Sequence, residues 1–317
     1  MRVGLMIGPE RGRYRTKVER LRADARWAEE VGLSTVWIPQ IPDEFDVLTA
    51  ATVVGAATGR IEVGTAVVPV QPRHPIALAQ QILSVQAVCN GRLAVGLGVS
   101  HHWVIDEMLG LAYERPVATM RAYLDVLDCA LAGPGPVDVE NTLFRVHNPL
   151  DITDLAPTPV LLAALGPRML ALCGERADGT ILWMADERAI ATHVVPALTR
   201  AAEAAGRPAP RVVAGIPVCL CGDSEIEAAV ARTNRILAEA EVSPNYQKLL
   251  EHGDARNVGD ILAAGSESTI VARLAAFADA GVTDISVRVV PIGENREELI
   301  ASSKRTRGFL SSLASSL

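Results

Sequence analysis

The sequence predicts a closed (β/α)8 barrel, an α/β fold of the TIM type with insertions. Three observations predict it. Eight apolar, β-branched runs alternate with segments that carry apolar residues at helical spacing, along almost the whole chain. Most of these runs leave no room for a solvent face, as in parallel sheets covered on both sides. Polar residues collect where the runs end, and parallel barrels place their chemistry at the C-terminal ends of their strands. An open doubly wound sheet shares the alternation; eight strands with a helix at the very end favour closure.

Val3 to Ile7 reads as the first strand, and Lys17 to Val31 as a helix with Val18, Leu21, Ala25, Ala28 and Val31 on one face, ended by Gly32. Ser34 to Ile38 is the second strand, followed by the loop Pro39 to Asp43 and a helix from Val47 to Thr58. Ile61 to Val67 is the third strand. Pro69, Pro72 and Pro75 then break the run into an irregular turn, with Arg73 and His74 between them. Ile76 to Cys89 is a helix closed by Asn90-Gly91, residues that accept the left-handed conformation of a helix end. Leu93 to Val99 is the fourth strand and ends in Ser100-His101-His102. Pro116 to Leu131 is a helix with proline in its first turn, where the missing N–H does no harm.

Gly133 to Pro136 breaks that helix, and residues 137–157 form a polar stretch, a short hairpin or lid, longer than an ordinary βα connection. Val160 to Ala164, Thr180 to Met184 and Arg211 to Leu220 are strands five to seven. Helices run between them from Gly166-Pro167 to Arg176 and from Ala189 to Ala205. Ser224-Glu225-Ile226-Glu227 fits a capping box that starts the next helix, and residues 242–265 read as irregular or broken-helical. Glu267 to Ala280 is a helix, Asp284 to Val290 the eighth strand and Arg296 to Leu313 the closing helix. With no linker or low-complexity tract, residues 1–317 are expected to form one barrel domain with insertions near 133–157 and 242–265.

Hydrophobic residues make up 49% and charged residues 21%, which suits a large core and argues against disorder. The net charge of −7 argues against a nucleic-acid partner, which would need a basic stripe, and leaves a small anionic ligand open. The five cysteines are odd in number and show no C-x-x-C spacing, so they read as reduced core thiols rather than a disulfide framework or zinc ribbon. The apolar start is too short for a signal peptide, and no run reaches the roughly 18 apolar residues of a membrane span. The expectation is a cytoplasmic protein with a small-molecule substrate and no membrane partner.

Gly96-Leu97-Gly98-Val99-Ser100-His101 superficially matches a dinucleotide fingerprint, but His101 replaces the third glycine and the glycines lie inside the strand; they equally suit close contact with a neighbour or a ligand ring. His101 and His102 stand at a strand tip. Adjacent side chains diverge and no third ligand is evident, so no metal site is expected. One of them can serve as proton donor, or both can be solvated loop residues. Leu165-Gly166-Pro167-Arg168 opens a helix. It suits a phosphate, through free N–H groups and close backbone approach, or is an ordinary βα turn. Trp37, Trp103 and Trp183 lie at or near strand tips, where they can wall a pocket for a flat ring or pack the rim. Arg73-His74 can touch a ligand or solvate its turn. Ser100, His101 and Asp106 lack the G-x-S-x-G elbow of a hydrolase.

The segments AEEVGLSTVWIPQ (28–40), GTAVVPVQPRHPIALAQQ (64–81), GRLAVGLGVSHH (91–102) and GPRMLALCGERADGTIL (166–182) together resemble the bacterial luciferase-like superfamily. Within it they resemble the branch of coenzyme F420 (deazaflavin)-dependent oxidoreductases; FMN monooxygenases share the architecture. The resemblance implies a TIM barrel, a homodimer, and a tricyclic ring in the barrel mouth backed by a bulge with a non-proline cis peptide. That bond maps onto Ala66-Val67, next to Val68. It implies cofactor phosphate contacts at Ala164, Leu165, Gly166 and Pro167, and ring contacts at Val99, Ser100, Pro39 and Gln40. His102, Trp103 and Trp183 are assigned to the substrate pocket. The Asp-His pair and the Glu of related sugar-phosphate dehydrogenases are replaced by Pro39-Gln40 and His101, which leaves His101 as the catalytic proton donor. The implied activity is hydride transfer between the deazaflavin C5 and a small organic substrate, reducing an activated C=C, C=N or carbonyl. The alternatives are an FMN-dependent luciferase-like monooxygenase and a non-catalytic flavin- or deazaflavin-binding protein.

Overall fold

The buried runs pair side by side in the computed structural model, which describes residues 1–9, 14–238 and 243–315. In chain order the strands are β1 (Arg2–Met6), β2 (Thr35–Ile38), β3 (Glu62–Thr65), β4 (Val68–Pro69), β5 (Leu93–Gly98), β6 (Val137–Glu140), β7 (Arg145–Asn148), β8 (Val160–Leu162), β9 (Gly179–Trp183), β10 (Arg211–Leu220), β11 (Ala263–Gly265) and β12 (Asp284–Val289). Eight of them, β1-β2-β3-β5-β8-β9-β10-β12, pair in parallel around a closed barrel, with β12 returning to β1. The helices are α1 (Tyr14–Glu30), α2 (Val47–Gly55), α3 (Pro75–Val88), α4 (Pro116–Leu131), α5 (Pro167–Arg176), α6 (Glu187–Ala189), α7 (Val195–Ala204), α8 (Ile226–Leu237), α9 (Pro244–Leu250), α10 (Val258–Ile261), α11 (Glu267–Asp279) and α12 (Arg296–Ser315).

Strand alternation sorts the core into two layers. Val36, Val63, Val95, Leu97, Ile285 and Val287 join the large cluster packed with the helices. Trp37, Ala94, Leu161, Ile181 and Val213 form a separate cluster inside the barrel. Trp37 is fully buried there, below the mouth, and its indole N–H donates to Thr35 Oγ1 at 2.9 Å. Gly64 makes room for it, since a Cβ there would lie 2.2 Å from the indole. Below Trp37, Arg211 bonds Glu62 at 2.8 Å and Asp284 at 2.9 Å, and Arg2 pairs with Asp284 at 2.5 Å. The N-terminal end of the barrel is thus filled, so the open space lies at the C-terminal strand ends.

The third strand divides where one continuous run was predicted. β3 stops at Thr65, the Ala66-Val67 peptide is cis, and β4 resumes beside β5. The Thr65 hydroxyl donates to Gly96 O at 3.0 Å and accepts from Gly96 N at 2.9 Å, so a side chain replaces the ladder bonds where the backbone bulges. The helix predicted over 189–205 contains a wide turn, Ile190–Val194, between α6 and α7. Pro196 has no N–H to continue the regular ladder there. The predicted capping box is displaced by two residues: Glu225 Oε2 accepts from Gly222 N at 2.8 Å, and α8 begins at Ile226. Residues 137–148 form the antiparallel hairpin β6–β7. The stretch 243–265 carries α9, α10 and β11, while residue 242 lies outside the described residues. The five cysteines are free, four of them buried, and burial raises the Cys173 thiol to about 12. Among the described residues no group of His, Cys, Asp or Glu is placed to hold a metal ion, and no helix is long and apolar enough to cross a membrane.

Candidate active site

A cavity of about 470 Å³ opens at the C-terminal ends of the strands. Ala66, Val67, Ala163, Ile181 and Gly215 give it an apolar lower part. The bulge reaches this position because β5 offers no side chains beneath it. A Cβ on Gly96 would lie 2.3 Å from Thr65 O, and one on Gly98 2.6 Å from Val67 Cγ2. The two glycines that looked like a nucleotide fingerprint are therefore the seat of the bulge. Gly215 serves the opposite side, where a Cβ would lie 2.8 Å from the Trp183 ring.

Of the residues predicted from sequence, Pro39, Gln40, Ala66, Val67, Ser100, His101, Trp103 and Trp183 line this cavity. Ser100 takes a left-handed conformation, φ +56°, at the point where the chain leaves β5. The His101 ring packs against Trp103, stacked at 5.5 Å and 14°, and against Tyr246 of α9 at 5.8 Å. Burial raises the Tyr246 phenol to about 12, so it stays protonated near neutrality. Gln40 is tied to its own loop: its amide donates to Ile41 O at 3.1 Å and accepts from Val47 N at 3.0 Å.

His102 does not line the cavity. Its side chain is exposed, diverges from that of His101, and faces Glu107 at 3.8 Å and the Tyr113 ring. Val68 and Ala164 are fully buried in the outer core, so only their backbones are available to a ligand. Val99 also lies off the lining, its carbonyl held by Gln71 Nε2 at 2.7 Å. Leu165, Gly166 and Pro167 stand outside the cavity at the N-terminus of α5. Gly166 is exposed, and a Cβ there would meet nothing within 4 Å, so the loop leaves open room. Trp37 sits in the barrel interior rather than in the lining. Arg73 pairs with Asp46, and His74 caps α3 by accepting from Ile76 N at 3.3 Å, so both have local structural partners.

Arg288 also lines the cavity, at the end of the eighth strand where the barrel reading looks for chemistry; sequence reasoning missed Tyr246 and Ser286. The alternation Asp284, Ser286, Arg288 carried the signal for Ser286, since these positions share one face of β12. Tyr246 had no such signal, because it arrives on a short helix outside the βα repeat.

A closed (β/α)8 barrel with an apolar, histidine-bearing cavity at its C-terminal strand ends has the architecture of a barrel enzyme. Residues 1–284 match the luciferase-like monooxygenase family, and the chain belongs to that family. It is 25% identical over 302 residues to a 5,10-methylenetetrahydromethanopterin reductase of Methanolobus tindarius, covering 87% of this chain and 91% of that one. Its fold is that of the coenzyme F420-dependent tetrahydromethanopterin reductase of Methanopyrus kandleri, with TM-score 0.72, 22% identity and coverage of 94% and 96%. It is equally that of the monooxygenase RslO1 of Streptomyces bottropensis, with TM-score 0.77, 20% identity and coverage of 98% of each chain.

Proposed function

We propose that this chain is an F420-dependent oxidoreductase that reduces an activated C=C, C=N or carbonyl in a small organic substrate. The observation that carries the reading is the wall of the cavity. His101 packs against two aromatic rings beside an apolar space whose described lining contains no carboxylate. Such a site suits hydride and proton delivery better than chemistry that needs a carboxylate base. The likeness to the Methanolobus reductase over most of both chains supports reduction.

The residues fit a deazaflavin. Ala66, Ala163 and Gly215 border the cavity with little bulk, which suits a flat ring, and the open loop at Gly166 with the first turn of α5 suits a phosphate. When bound, the cofactor supplies the hydride. Ala66, Val67, Pro39 and Ser100 would border the ring, and Ala164 to Pro167 would hold the phosphate. His101 would hold a proton on its imidazole and deliver it to the substrate atom left electron-rich by reduction, then regain it from solvent.

Titration of the cofactor-free protein tests this. F420 is expected to bind in the micromolar range and FMN far more weakly. Micromolar FMN binding without F420 binding overturns the reading in favour of an FMN monooxygenase. F420 binding without oxidation of reduced F420 by any of a panel of enones, imines and quinones leaves a carrier. Gly166→Val is expected to weaken F420 roughly tenfold, the size of a lost anion contact at a helix N-terminus. Its φ of −88° tolerates a side chain, so the fold is retained.

A further inference from the structure

The wall of the barrel mouth opposite His101 holds polar groups that the proposed chemistry does not use. In the strand order, β5 and β12 are four strands apart in either direction, so they stand on opposite sides of the mouth. His101 follows β5. On β12, Asp284, Ser286 and Arg288 share the inward face. Asp284 belongs to the ion cluster at the closed end, whereas Ser286 and Arg288 line the cavity. Ser286 is 1% exposed, and its hydroxyl is buried with no hydrogen-bond partner among the described residues. A buried hydroxyl in that condition has given up its hydrogen bonds to water for nothing in return, so its lack of a partner points to a ligand.

Two further features give the ligand's chemistry. Among the described residues that line the cavity, Arg288 is the one permanently charged side chain, in a protein of net charge −7. Arg288 makes contacts of its own, but a guanidinium has five N–H groups and can serve a second partner. On the His101 side, the Trp103 indole N–H is also buried and unpartnered among the described residues, and an indole N–H can only donate. The mouth therefore offers a hydroxyl with a guanidinium on one wall, and an N–H donor beside an imidazole on the other.

We propose that the substrate is an unsaturated or carbonyl-containing carboxylic acid. Its carboxylate is received by Ser286 Oγ and Arg288, and its reducible carbonyl accepts from Trp103 Nε1 beside His101. Fixing both ends directs the reacting carbon and leaves the carbonyl oxygen next to its proton source. The corner lies on β12, three or four strands around the barrel from β3, β5 and the loop after β8, where the bulge and the proposed phosphate contacts stand. This assignment rests on the reductase reading for its chemistry, but not for its binding test.

That test is calorimetric titration of the cofactor-free protein with para-carboxybenzylideneacetone and with its methyl ester. The acid is expected to bind at least about tenfold more tightly, the scale of one charge-assisted contact. Arg288→Met should erase that preference, Arg288→Lys should keep part of it, and Ser286→Ala should reduce it, all with ester binding unchanged. F420 affinity, read by fluorescence in the same variants, should stay within about twofold, a free-energy change below the scale of a lost hydrogen bond. Equal binding of acid and ester, no binding of the acid, or a preference that survives both Arg288→Met and Ser286→Ala overturns the proposal. So does a loss of F420 affinity with acid binding intact, which would give the corner to the cofactor. Failure of the wild-type protein to bind F420 would overturn the reductase reading alone, because acid and ester are compared without cofactor.

Discussion

Among the described residues that line the cavity, His101 and Tyr246 can carry a transferable proton near the proposed reacting atoms, and burial sets Tyr246 apart. The Tyr246 phenol, pushed up to about 12, keeps its proton through the neutral range. A limb in the pH–rate profile near neutrality would therefore not belong to Tyr246. His101→Ala is expected to lower kcat about a hundredfold, the lower end for loss of a general acid, with F420 affinity unchanged. The limb should vanish in His101→Ala and persist in Tyr246→Phe. Unchanged kcat in His101→Ala, or a limb that disappears only in Tyr246→Phe, would remove the proton-donor role. His102, adjacent in sequence, is outside this chemistry because it faces Glu107 and Tyr113.

At the scale of elements, Asp186 ties the insertion after β10 to the tip of β9. It is 4% exposed, and its carboxylate accepts from Ala189 N at 2.8 Å and from Asp254 N and Ala255 N at 2.6 Å each. The segment it pins follows α9, which carries Tyr246. It begins at His252, whose ring stacks on His193 at 3.8 Å, and His193 Nε2 lies 2.8 Å from Leu165 O. The carboxylate thus pins the segment just after the helix that carries a cavity wall, and the His252–His193 stack joins the same segment to the proposed phosphate loop. Asp186→Ala leaves three N–H groups without that acceptor and should destabilise the segment by about 2–4 kcal/mol, from net losses near 1 kcal/mol per bond. Hydrogen exchange should quicken across residues 244–257 while α1 to α4 stay protected. F420 should also bind more weakly than to wild type. Unchanged exchange in 244–257 would show that the segment is held elsewhere.

For the whole molecule, the legible part was whatever repeats. Each strand and helix carries its own periodicity, and eight repeats ending in a helix imply closure. Contacts between distant residues were not legible: Asp186 meets Ala255 across 69 positions, and Tyr246 meets His101 from outside the repeat. β12 carried a signal that only closure of the barrel explains. DISVRV alternates polar and apolar residues as a half-solvated strand does, but in a closed barrel its polar face turns to the lumen. Part of that face stabilises the fold and part lines the cavity, and the two are separable. At the closed end, Arg211 joins β10 to Glu62 of β3 and Asp284 of β12, with Asp284 only 2% exposed. Arg211→Met leaves Asp284 with Arg2 as its charge partner among the described residues, and breaking a buried pair costs about 3 kcal/mol at the low end. At about 2 °C per kcal/mol for a chain of this size, Tm should fall by roughly 6 °C. Arg2→Met removes a half-exposed partner and should cost less than about 1 kcal/mol. Both variants should bind F420 as wild type does, because the cluster lies at the opposite end of the barrel from the cavity. Equal losses of Tm in the two variants would show that Arg2 holds Asp284 as firmly as Arg211 does, and weakened F420 binding in a folded Arg211→Met would show that the two ends are coupled.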